Sequence, residues 1–81
     1  MDKQSIREIV IETVAKELEM EPAEITDTVG IANNLAWDSM AHLNIFMNLE
    51  KQLGCTMDLM EVSAVQTVSD WINLCEKTTL K

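Results

Sequence analysis

With 81 residues the chain can form one small domain, in which folding buries only about 60% of the unfolded surface, so every element must contribute to a shared core. Fourteen acidic against six basic side chains leave a net charge of −8, which argues against nucleic acid or an anionic membrane as partner and favours basic protein surfaces. Hydrophobic residues make up 47%, but they fall in short periodic groups, and no run approaches the roughly 20 residues of a membrane span.

The whole chain, 1–81, reads as a single domain. Met1-Asp2-Lys3-Gln4 leads directly into helical spacing without the basic start and apolar stretch of a secretory signal, so the expected compartment is the cytoplasm. Cys55 and Cys75 have no second pair near them and His42 is the only histidine, which leaves neither a CxxC motif nor a zinc set. Both cysteines are expected to be reduced core thiols.

Ser5-Ile6-Arg7-Glu8 has the form of a capping box, so a first helix is expected to begin there. Ile6, Ile9, Val10, Val14 and Leu18 follow at intervals of three and four, with charged residues opposite, and the helix should end near Glu19. From Pro22 to Asp38 the chain reads as a long loop, since Pro22, Gly30, Asn33 and Asn34 favour turns. Loops this long tend to be functional or held down by their own apolar residues, here Ile25, Val29, Ile31 and Leu35.

A second helix is expected from Asp38 or Ser39 to about Leu53, ended by Gly54. Ile45, Leu49 and Leu53 form one stripe along it, while Met40, Leu43 and Met47 form another. One inward face cannot hold both, so the second stripe should remain partly exposed. Asp58 to Ala64 reads as a short third helix. Thr67 caps a fourth that carries Val68, Trp71, Ile72 and Cys75 inward and ends near Lys77. Strand-like alternation is absent, and the fold class is all-α: a small bundle of three main helices plus one short one.

Trp37-Asp38-Ser39-Met40, after a long loop and at the head of an apolar helix, closely resembles the attachment site of acyl and peptidyl carrier proteins, whose usual pattern is Asp-Ser-Leu. The resemblance covers nearly the whole chain, from the long first helix to the Thr67-Val68 pair that opens the last. It implies a stand-alone carrier that is not an enzyme, with 4′-phosphopantetheine from coenzyme A attached to Ser39 and a substrate held as a thioester on its terminal thiol. It also implies that Asp38 helps hold the metal ion and coenzyme A during loading. The implied partners are a phosphopantetheinyl transferase, an acyl or aminoacyl ligase, and the synthases or transferases of a pathway, each visiting a monomer.

Elementary chemistry agrees with that position. A serine in the first turn of a helix lies near unpaired backbone N–H groups and the positive end of the macrodipole, which favour a phosphodiester. On local sequence alone, Asp38 and Ser39 read as plain capping residues, the commonest role of such a pair, and it is the full-length resemblance that reverses this in favour of attachment. His42 lacks an orienting acid and an oxyanion site, so it reads as a partly buried helix residue rather than a base, with room to line the space beside the arm.

The second helix carries one acid, Glu50, where fatty-acid carriers typically carry several. Its exposed stripe, Met40, Leu43 and Met47, suits docking of partners, since flexible methionines adapt to several surfaces. Trp37 either joins that surface or pins the loop end to the bundle. These features favour a specialised pathway, such as polyketide, nonribosomal peptide or related synthesis. The alternatives are a fatty-acid synthesis carrier and an unmodified acidic helical adaptor that binds a partner through helix two.

Overall fold

A computed structural model describes residues 2–80, so the expected domain limits at Met1 and Lys81 lie outside the described residues. Helix α1 spans Lys3–Leu18 and is capped by Asp2, whose carboxylate accepts the Ser5 backbone N–H at 2.8 Å. The expected box from Ser5 to Glu8 does not form. Ser5 already lies inside the first turn, where its N–H is one of the orphan donors that Asp2 satisfies, and Glu8 instead accepts from the Gln4 side chain at 3.1 Å. Ile6, Val10, Val14 and Leu18 are buried on one stripe, and Glu19 closes the helix in the left-handed region at φ 56°.

The loop that follows is more ordered than its composition suggests. Pro22–Glu24 forms a 3₁₀ turn, and the Glu21 N–H donates to the Glu24 carboxylate at 3.0 Å. Further on, three backbone bonds stitch the loop to the start of the last helix: Ile31 N–H to Gln66 O, Val68 N–H to Val29 O and Ser69 N–H to Asp27 O, at 2.9, 2.9 and 3.1 Å. Gly30 and Thr67 pair there as an isolated antiparallel bridge. A Cβ on Gly30 would lie 2.2 Å from the Gln66 carbonyl oxygen, so only glycine permits this approach.

Ile25 is buried and Val29 half-buried, as anchors should be. Ile31 and Leu35 are not anchors, being 46% and 103% exposed. The backbone stitches and Trp37 hold this stretch down, which removes the need for its aliphatic side chains.

Helix α2 spans Ser39–Leu53 and ends at Gly54, which adopts the left-handed conformation at φ 63°. Ala41, Ile45, Phe46 and Leu49 enter the core, the three larger side chains each contributing roughly 1.5–3 kcal/mol by burial. Asp58 caps the short α3, Leu59–Ala64, by accepting the Met60 N–H at 2.7 Å, and Val62 is the residue this helix buries. Thr67 caps α4, Val68–Thr79, which runs two residues past the expected end and buries Val68, Trp71, Ile72, Leu74 and Cys75.

Helix α1 packs against both α2 and α4. A Lys77–Glu61 ion pair joins α4 to α3, and Arg7 pairs with Asp27 across the loop at 2.6 Å. The fold is all-α, a bundle of three main helices and one short one. None of the helices among the described residues is long and apolar enough to cross a membrane.

Candidate functional site

Ser39 is the first residue of α2 and is exposed. Its position follows from the turn before it: Asp38 is extended at φ −97° and ψ −172°, its carboxylate accepts the Ala41 N–H at 2.9 Å, and its carbonyl accepts the His42 N–H at 2.9 Å. Asp38 is therefore the N-cap, and Ser39 sits over the remaining N–H groups of the first turn, where the helix carries its partial positive charge. Asp38 is also exposed, and one of its carboxylate oxygens is taken by the helix cap.

A groove of about 360 Å³ opens next to Ser39, lined by Ile31, Trp37, Asp38, Ser39, His42 and Ser63. Its floor is a hydrogen-bonded relay. The Trp37 indole Nε1–H donates to His42 Nδ1 at 3.0 Å, and His42 Nε2 lies 2.9 Å from the Val62 carbonyl. An indole N–H can only donate, so Nδ1 must be the acceptor and Nε2 carries the proton it gives to Val62. The ring is thus fixed in orientation and tautomer between the loop end and α3. Trp71 lies against its face, with ring centroids 5.1 Å apart. Moving the ring away would leave the buried Trp37 N–H without its acceptor, at a cost of about 1–3 kcal/mol.

Trp37 is 2% exposed, so the reading that places it on a partner surface is corrected: it is a core residue that pins the loop end. An indole buries more area than any other side chain, and the Nδ1 acceptor on the neighbouring helix satisfies its one polar atom. Met40, Leu43 and Met47 are 65%, 47% and 50% exposed, a row on α2 facing away from the fully buried Ile45 and Leu49. Leu59 and Met60 of α3 are exposed as well.

The His42 relay was missed in the sequence, although a signal existed. His42, Ile45 and Leu49 fall at i, i+3 and i+7 on the inward stripe of α2, so the histidine had to meet either a core polar partner or a backbone carbonyl.

The sequence matches the family described as "Phosphopantetheine attachment site" over residues 8–75. The chain belongs to this family of phosphopantetheine-binding carriers. Among curated relatives, proteins named acyl carrier protein from two strains of Porphyromonas gingivalis are each 31% identical over 68 residues, covering 84% of this chain and 87% of the relative. An acyl carrier protein of Azobacteroides pseudotrichonymphae is 35% identical over 72 residues, covering 88% of this chain and 85% of its own.

The carrier's cofactor is 4′-phosphopantetheine, and the protein is a cosubstrate rather than a catalyst. When bound, that group supplies a flexible thiol on which a substrate travels as a thioester. The end of α2 fits it: an exposed hydroxyl, helix N–H groups suited to a phosphodiester, a neighbouring carboxylate, and a groove that mixes apolar walls with hydroxyls. Carriers of this family meet a transferase that loads them and the synthases or transferases that act on what they hold.

Proposed function

We propose that Ser39 is the attachment residue, that residues 1–81 act as one carrier domain, and that the protein carries an acyl or aminoacyl group in a specialised biosynthetic pathway. The observation that carries this reading is the exposed Ser39 hydroxyl at the first position of α2, with Asp38 beside it. During loading the Ser39 Oγ bonds to the β-phosphorus of coenzyme A, its proton leaves, and adenosine 3′,5′-bisphosphate departs. The α2 N–H groups stabilise the phosphodiester that results. Asp38 would help hold the metal ion that assists loading, while its Oδ1 keeps the helix capped.

The specialised pathway is supported by the outward face of α2. Met40, Leu43 and Met47 make it an apolar row, and Glu50 is the one acid between Met40 and Leu53. A face of this kind suits a few dedicated ligases, synthases or transferases that bind by shape and apolar contact. The relatives named acyl carrier protein support a second reading, a carrier in fatty-acid synthesis. Family membership sets aside the unmodified adaptor. The free cysteines Cys55 and Cys75 suit a reducing compartment, which supports the cytoplasm as its location.

Incubation with coenzyme A, magnesium and a permissive phosphopantetheinyl transferase should raise the intact mass by one phosphopantetheine, while Ser39→Ala stays unchanged. A wild-type protein that gains no mass, or an alanine variant that does, would overturn the assignment. The group released by thioester cleavage of protein isolated from its native cell then separates a specialised substrate from a fatty acid.

A further inference from the structure

An apolar group tethered beside an apolar bundle is drawn to whatever apolar space it can reach. From Ser39 the direct route inward runs between α2 and α3. His42 lies across it, three residues along α2 from Ser39, held at one nitrogen by Trp37 and at the other by the Val62 carbonyl. Behind the ring the space is filled by Trp71, which has no exposed surface.

We propose that His42 bolts the seam between α2 and α3, so that the carried group stays outside the bundle and is a short or polar acyl group rather than a long alkyl chain. This inference rests on attachment at Ser39. Parting the seam would break both hydrogen bonds of the His42 ring at once and take the acceptor from the Trp37 N–H, whose residue is buried, while the Val62 carbonyl keeps the Val65 N–H. A chain entering there would also have to displace Trp71, which fills the space behind the ring. The groove left open to the carried group is lined by Ile31, Trp37 and His42 together with the polar Asp38 and Ser63. A compact group with its own hydrogen-bonding atoms is matched to those walls, whereas a long chain would leave most of its length in water. His42 is thus a positioning residue that sets specificity without touching the loading chemistry.

The test loads full-length apo protein with coenzyme A or with octanoyl-coenzyme A through a permissive transferase, and reads the mass first. Failure to gain mass would sink the attachment reading and this inference with it. Successful loading followed by chain insertion would sink this inference alone. For the wild type, the octanoyl and unacylated forms should melt at the same temperature and show the same Val62 and Ile72 methyl resonances. For His42→Ala, the octanoyl form should melt above its own unacylated form, with those methyls shifted. Trp37→Phe, which keeps a ring and removes the N–H, should shift the same way by less, and it carries the test if the alanine variant does not fold. The ¹⁵N shifts of the His42 ring should show a bare Nδ1 and a protonated Nε2. Octanoyl-dependent stabilisation of the wild type, absence of any acyl effect in the variants, or a proton on Nδ1 would each overturn the proposal.

Discussion

Cys75 lies on the inner side of α4 with no exposed surface, and burial pushes its thiol from an ordinary 9.0 up to about 12. Cys55 is half-buried, and its thiol is raised too, first by partial burial and then by the nearby Glu50. Since the thiolate is the species that reacts, iodoacetamide at mildly alkaline pH should label Cys55 slowly and leave Cys75 untouched until the protein unfolds. Peptide mapping after timed quenching checks this, and labelling of native Cys75 at the rate of Cys55 would contradict the packing. The same shift has a sign for stability. Between about 9 and about 12 the unfolded chain loses the Cys75 proton while the folded chain keeps it, so stability should fall as pH rises through that window. Chemical denaturation at stepped alkaline pH, compared with Cys75→Ala, isolates the contribution.

At the scale of the element, α2 divides its labour between two faces, and substitutions on them should separate cleanly. Ile45→Ala or Leu49→Ala removes a fully buried side chain and should cost about 2–5 kcal/mol of folding stability. Met40→Ala, Leu43→Ala and Met47→Ala should each fall within about 0.5 kcal/mol of the wild type, because these side chains keep roughly half their surface in water. Urea unfolding measures both sets, and pull-down by a pathway enzyme should be weakened by the second set alone.

The helices were legible from the sequence because their periodicity is strong: the Val10–Val14–Leu18 and Ile45–Leu49 spacings leave no other face for the core. Their starts were less so. Asp2 and Ser5 are both good caps three residues apart, and only the backbone shows which of them the first turn includes. The loop was the least legible part, because backbone hydrogen bonds to Gln66, Val29 and Asp27 order it, and backbone groups carry no residue-specific signal. At the candidate site, the placement of Asp38 and Ser39 at a helix start could be read directly. The burial of Trp37 could not, since its acceptor, His42, becomes one only once α3 supplies a carbonyl on the ring's far side.

Over the whole molecule, fourteen acids against six bases in so small a body create self-repulsion that opposes folding. Among the described residues, Arg7 with Asp27 and Lys77 with Glu61 neutralise two of those acids in close pairs, both largely in water and so of modest worth. Raising ionic strength from about 0.01 to about 0.15 M shortens the screening length from roughly 30 Å to roughly 8 Å and should raise the melting temperature. Differential scanning calorimetry in low and physiological salt tests this, and a midpoint that falls with salt would mean that close attractive pairs outweigh the net repulsion.

The stitching of the long loop to the head of α4 has a mechanical consequence for Ser39. Because Val29 and Ile31 are spliced by their backbones to Val68 and Gln66, the loop side of the carrier's tip behaves as a fixed jaw. The opposing jaw is α3, six residues long and held by one buried side chain, Val62, by the His42 hydrogen bond and by one exposed ion pair, so any yielding of the tip toward a visiting enzyme falls to that side.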